Sequence, residues 1–347
     1  MRSMMLRYMR MPPWQSWGLA LPGAGLCGLI ALAASFVASL HGGTPMLYAL
    51  LFGTTLHYLH AEVRTAPGVR FCASTLLRLG VGLLGARITL SQIAALGWPT
   101  VVITILGAAT TLLAGVAMAR HLRLPGTLGV LAGGATAICG ASAAMAIAAV
   151  LPQDATRERE TLSVVVLATL LSTVAMLAYP LIATFLHLPP ALAGLFIGGS
   201  IHDVAQVVVA GYALGNEAGD AASVVKLLRV SLLAVVVTGV ALAFRPPGSA
   251  ALPAASRRPP LIPGFVLLFL AMAAWHSLGW LPGPLQASLG QASQACLTVG
   301  VAALGMKTSF LELTRSGRRT ALLMGFTTGW IGLLMLGGAL WLRVGNP

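Results

Sequence analysis

Residues 198–211 read GGSIHDVAQVVVAG, between LPPALAGLFI on one side and YAL on the other. A His and an Asp stand side by side, at 202 and 203, in a stretch that is otherwise apolar. Ionisable groups are costly in hydrocarbon, so inside a membrane span they face the protein interior or a polar path. The meaning of the pair turns on whether the surrounding chain is membrane.

The composition says that it is. Of 347 residues, 57% are hydrophobic and 8% are charged, against about 25% charged in an ordinary soluble domain. The mean hydropathy is +0.89. The 21 Lys and Arg outnumber the 8 Asp and Glu, which in a soluble protein would suggest nucleic acid. Here the basic residues fall in short gaps between apolar runs, the pattern of membrane topology, so no nucleic-acid partner is expected. Cys27, Cys72, Cys139 and Cys296 lie in apolar segments without CxxC spacing. They read as small packing residues rather than a metal site or a disulfide framework; no metal and no cofactor is expected.

Hydropathy marks ten or eleven spans, each near the ~20 residues a helix needs to cross the hydrocarbon. They cover roughly 17–40, 43–60, 68–88, 98–119, 126–152, 161–184, 190–214, 219–244, 261–278, 285–307 and 320–342. The basic start MRSMMLRYMR has no clear cleavage site after its apolar run, so the first helix reads as uncleaved. With the N-terminus in the cytoplasm of a bacterial inner membrane, Arg64, Arg120, Arg123, Arg245, Arg257, Arg258 and Lys307 fall inside. The outside receives HGGTP, SQIAALG, DATRERE, GNEAGD and LPGP. One loop fits badly: LHLPP, near 186–190, falls inside without Lys or Arg. The Pro-rich stretch 245–260 reads as a cytoplasmic linker.

Residues 77–103, LRLGVGLLGARITLSQIAALGWPTVVI, align without gaps on 297–323, LTVGVAALGMKTSFLELTRSGRRTALL, with Arg87 on Lys307. Seven spans separate the copies, so they run in opposite directions, as in an inverted-repeat secondary transporter. The expected fold is an all-α polytopic membrane protein of about 10–11 helices, a single transporter domain over 1–347. Its inverted repeats cover about 43–184 and 190–343.

Such transporters bind substrate at the midplane, where helices break. Two Gly-rich segments fit, LAGGATAICGASAAMA at 131–146 and the opening segment. Gly133, Gly134, Thr136 and Ser142 in the first, and Gly198, Gly199, Ser200 and Gln206 in the second, are expected to line a site. The competing reading is close helix packing through small residues. Asp203 is the only acidic residue well within a span, while Arg78, Lys226 and Arg229 are cations there. Lys226 and Arg229, three apart, share a helix face. One Asp cannot balance three cations, so a bound anion is expected to complete the charge; the alternative is a structural salt bridge from Asp203. His202 and Asp203 are read as a proton-coupling pair, or equally as part of that bridge. No GxxxxGK[ST] motif is present, so the energy source is an ion gradient, of protons or sodium.

GGATAICGASAAMA, GGSIHDVAQVVVAGYALG, VVKLLRV and LRLGVGLLGARITLSQI together resemble the motifs of the YeiH-like family of bacterial inner-membrane sulfate exporters, in order, from about residue 20 to 340. Many members of that family have Glu where this chain has Asp203. The resemblance implies a place in the bile acid symporter and cation–proton antiporter superfamily, with two crossed, broken helices. Counting every apolar stretch as a full crossing makes the fifth and seventh parallel, whereas crossed helices in that superfamily are antiparallel. Either a span is miscounted or the partner of the fifth is the tenth.

The function expected is secondary transport of a small oxyanion, sulfate or a sulfonate, outward across the membrane, with no enzymatic step. A cation–proton antiporter and, further off, an intramembrane enzyme using the His–Asp pair are the alternatives. The expected partners are the anion, the bilayer and a coupling ion; assembly into a homo-oligomer is left open.

Overall fold

The computed structural model describes residues 13–152, 156–244, 263–307 and 317–345. Those residues are helical, with no strand among them. The helices are α1 (Pro13–His41), α2 (Pro45–Thr55), α3 (Ala66–Arg87), α4 (Leu90–Ala95), α5 (Gly97–His121), α6 (Gly126–Ala137), α7 (Ala141–Val150) and α8 (Arg157–Phe185). They continue with α9 (Pro190–Ser200), α10 (Val204–Ala213), α11 (Asn216–Ala243), α12 (Gly264–Ser277), α13 (Gly283–Lys307) and α14 (Arg318–Gly345). Seven of them, α1, α3, α5, α8, α11, α13 and α14, are long and apolar enough to cross a bilayer. The outward faces carry large apolar side chains such as Leu21, Leu32, Leu113, Leu181 and Leu333. The chain is an all-α polytopic membrane protein. The linker at 245–260 lies outside the described residues.

Two compact units divide the chain, one of residues 1–87 and 268–309, the other of 88–267 and 310–347. Each draws segments from both halves of the sequence.

In the first unit α3 and α13 cross antiparallel at two glycines. A Cβ at Gly80 would lie 3.0 Å from Leu297, and one at Gly300 would lie 2.6 Å from Leu77. The alignment of 77–103 on 297–323 pairs Leu77 with Leu297 and Gly80 with Gly300. The two contacts are therefore reciprocal, which is what a two-fold relation between equivalent segments produces.

In the second unit the fifth and seventh apolar stretches are not through-spans. The α6 helix runs antiparallel to α5, with Gly115 against Gly129 and Gly133. Then α7 turns back along α6: a Cβ at Gly134 would lie 2.3 Å from Ile147 Cδ1. Were residues 134–147 one straight helix, those positions would be ~20 Å apart. The same holds for α9 and α10. Gly198 on α9 and Gly211 on α10 both pack on Ala222 of α11, so the chain enters and returns along one neighbour. The breaks fall at 138–140 and 201–203. At the first, Gly140 has φ 63 and ψ −122, a backbone that side chains rarely adopt.

Helix α8 fixes how the hairpins are disposed. It has 29 residues and so extends ~43 Å. Its first turn follows the end of α7, and its last precedes the start of α9. The hairpins thus enter from opposite ends of α8, and their tips meet beside its middle, at Ala168, Ser172 and Thr173. The fifth stretch pairs with the seventh, not the tenth, and the parity difficulty came from counting each hairpin as a crossing.

Candidate functional site

The two tips form a buried polar cluster. On α8, Ser172 Oγ accepts the backbone N–H groups of His202 at 3.1 Å and Asp203 at 3.2 Å. Gln206 Nε2 donates to Thr173 Oγ1 at 2.8 Å. From α14, Thr328 Oγ1 pairs with His202 Nε2 at 2.9 Å, and Thr327 Oγ1 with Thr136 Oγ1 at 3.0 Å. His202, Gln206 and Thr136 are fully buried. Among the described residues, His202 Nδ1 and Gln206 Oε1 have no hydrogen-bond partner.

Lys226 and Arg229 come from the middle of α11 and are fully buried, at 0% exposure. Lys226 Nζ donates to Ile138 O at 2.6 Å and Ile201 O at 2.9 Å. Arg229 Nη2 donates to Thr136 O at 2.6 Å and Nε to Ala137 O at 3.0 Å. Its Nη1 donates to Gly198 O at 3.2 Å and Ile201 O at 3.1 Å. These carbonyls end α6 and α9, the inbound arms of the two hairpins. A helix C-terminus leaves its last carbonyls without intrahelical partners and carries roughly half a negative charge. In hydrocarbon those groups must be satisfied within the protein. Three apart on one face of α11, the two cations satisfy both ends at once.

That geometry corrects two expectations. Asp203 does not bridge to Lys226 or Arg229: among the described residues its Oδ1 accepts the Ala205 N–H and caps α10. Nor do the two cations wait unmatched for an anion, because carbonyl dipoles already face them. The glycine pairs are corrected as well. Helices continue through Gly133–Gly134 and Gly198–Gly199, and the breaks come several residues later. A Cβ at Gly133 would lie 2.8 Å from Leu112 O, at Gly198 2.3 Å from Ala222 O, and at Gly199 2.4 Å from the Met335 sulfur. All four glycines serve close packing rather than unwinding.

The remaining expected residues divide. Ser200 is buried and its hydroxyl returns to Phe196 O. Ser142 is exposed, in the first turn of α7, whose N-cap Gly140 offers no side chain. Arg78 belongs to the first unit, exposed on α3, whereas the hairpin residues belong to the second. Sequence reasoning missed Ser172, Thr173, Thr327 and Thr328. Their signal was present: two adjacent hydroxyl pairs, LLSTVAM and GFTTGW, in the interior of apolar spans. Among the described residues no group of three or more His, Cys, Asp or Glu is placed to hold a metal ion.

Comparison with known proteins places this arrangement in a family. A family described as Conserved hypothetical protein 698 matches residues 22–324. The chain is 45% identical over 327 residues to the UPF0324 membrane protein TauZ of Paracoccus denitrificans, covering 92% of this chain and 96% of that one. It is 42% identical over 322 residues to a UPF0324 membrane protein of Chlorobaculum tepidum, covering 92% and 89%. The resemblance to the YeiH-like family agrees with these matches.

Proposed function

This chain belongs to the Conserved hypothetical protein 698 family, that of the UPF0324 membrane proteins, and for it we propose secondary transport of a small oxyanion, sulfate or a sulfonate, outward across the bacterial inner membrane. One observation carries the reading: two hairpins enter from opposite ends of α8 and meet at polar, buried tips. Paired broken helices of opposite direction are how secondary transporters build a midplane site.

The helix ends at the tips favour an anion. The outbound arms α7 and α10 begin at the tips, and helix N-termini attract anions through free N–H groups. Asp203 fills that role on α10; on α7 the first turn starts at Gly140 without a side-chain cap. An oxyanion there would meet the backbone N–H groups of Ala141 and Ser142 and the Ser142 hydroxyl, with His202 standing against Gly140.

Topology supports the same reading. When the hairpins are not counted as crossings and the N-terminus is cytoplasmic, LHLPP moves outside. Arg157 and Arg159 move inside with the other basic loops, and the one exception to the positive-inside pattern disappears.

The test is counterflow in proteoliposomes loaded in turn with sulfate, methanesulfonate and phosphate. Protein-dependent exchange of one labelled oxyanion is expected. Rates equal to protein-free vesicles for all three would sink the proposal.

A further inference from the structure

In transporters built on interrupted helices, the N-terminal ends face anionic substrate, while exposed carbonyls at the C-terminal ends coordinate the coupling cation. Here those carbonyls are Thr136 O, Ala137 O and Ile138 O on one hairpin, and Gly198 O and Ile201 O on the other. All five accept hydrogen bonds from two side chains of a single helix. Ile201 O takes one from each of them.

We infer that Lys226 and Arg229 are tethered stand-ins for a coupling metal cation, so that this protein has no sodium site at its hairpin tips and transports independently of sodium. The inference rests on the transport reading above and deepens it by removing sodium from the candidate coupling ions. The physical basis is local. A carbonyl oxygen whose lone pairs point at an ammonium or guanidinium hydrogen 2.6–3.2 Å from its donor cannot also coordinate a desolvated metal ion at the same place. Both side chains are wholly enclosed, so neither can swing out into water to exchange with a free ion without opening the tips. A mobile cation would travel with the substrate. A cation fixed to α11 stays behind, and it supplies the positive charge at the tips in every cycle at no cost in co-transported ions.

The prediction separates this role from mere packing, because a removed cation can be replaced by a free one. Purified protein is unfolded thermally in sodium, potassium, methylammonium and choline chloride at equal ionic strength. Wild-type midpoints are expected to be the same in all four. Lys226→Ala is expected to unfold at a lower temperature in choline and to recover most of that shift in sodium or methylammonium. Arg229→Ala is expected to recover in guanidinium below its denaturing range and not in choline. Ser172→Ala is the control: it weakens the same tips without removing a cation, and no added cation is expected to restore it. If Lys226→Ala does not accumulate, Lys226→Met keeps most of the stem and leaves only the place of the ammonium empty before Ile138 O and Ile201 O, and sodium is expected to raise its midpoint above the choline value.

Stabilisation of the wild type by sodium over choline would overturn the inference. So would an equal loss for the Lys226 variant in all four salts. In proteoliposomes a sodium gradient is expected to leave wild-type anion flux unchanged, and sodium-driven flux would also overturn it. Absence of any anion flux instead sinks the transport reading, while the cation rescue on purified protein still decides whether the tips hold tethered cations.

Discussion

Gly140 and His202 face each other across the meeting of the two hairpin tips: a Cβ added at Gly140 would stand 3.4 Å from His202 Cβ. The residues are 62 positions apart in sequence, on segments that enter from opposite ends of α8. Their contact places the only fully buried histidine of the described residues at the same depth as the first break. Disturbing either tip should therefore be felt at the other.

Cys139 reports on that contact from within the chain. It is 7% exposed, next to Gly140, whereas Cys27 and Cys72 are at 0%. In proteins retaining one cysteine each, a small water-soluble thiol reagent is expected to modify Cys139 faster than Cys27, and a transported oxyanion to slow the reaction. Lys226→Met removes the donor from Ile138 O and should speed Cys139 labelling ~10-fold or more if tip opening becomes easier by ~1.4 kcal/mol. Equal inertness of Cys139 and Cys27 in every condition would show that the tips never open to water.

Ser172 holds two backbone N–H groups of the second tip with one oxygen. Ser172→Ala should cost about 1–3 kcal/mol, the penalty for burying donors without an acceptor. The control, Ser163→Ala, removes an exposed hydroxyl that bonds only its own helix at Arg159 O, and it should be close to neutral. Chemical denaturation in mild detergent measures both. Equal midpoints for the two variants would reject the role given to Ser172.

For Asp203 the question is whether its charge or its shape matters. Asp203→Asn keeps an oxygen able to accept the Ala205 N–H, so the folded state should survive nearly unchanged. Asp203→Ala loses the cap and should lose ~0.5–2 kcal/mol. If the carboxylate also carries a coupled proton, the Asn variant should bind oxyanion but lose flux driven by a pH gradient. A stable Asn variant with normal pH-driven flux would leave capping as its whole function.

Two glycines differ sharply in what they permit. Gly198→Ala would push a methyl group to 2.3 Å from Ala222 O and 3.0 Å from Ala222 Cα, with backbone on the far side that cannot yield. Expression of folded protein should fall steeply. Gly239, also helical, has nothing within 4 Å, and Gly239→Ala should be neutral or stabilising by up to ~1 kcal/mol. Size-exclusion profiles of the two variants give the comparison directly.

The sequence showed the broken segments, the His–Asp pair and the cations of α11, because each breaks an apolar pattern. It did not show that the segments turn back. Hydropathy registers length and polarity, and a hairpin whose arms have 12 and 10 residues, or 11 and 10, reads like one span. The misplaced LHLPP loop was the trace of that error, visible in the charge pattern but assignable only once Gly134 was seen against Ile147. Carbonyl partners were out of reach for a different reason. A side chain's charge is written in the sequence, whereas the backbone dipoles that answer it depend on where helices end. Charge counting therefore asked for an anion to balance Lys226 and Arg229, when the chain supplies the C-terminal carbonyls of α6 and α9 to do so.

Lys226 and Arg229 follow both hairpins in chain order. A ribosome that has released residue 213 has made two hairpins whose inbound ends face nothing that can donate to them. Neither can settle at its final depth until α11 has emerged and inserted. The order of synthesis thus predicts an order of assembly: both hairpins are expected to settle only once α11 arrives to donate to their inbound ends. A chain released between 213 and 225 would carry two unsatisfied breaks into the bilayer and is expected to be a target for membrane proteolysis, while release after 243 would leave them closed.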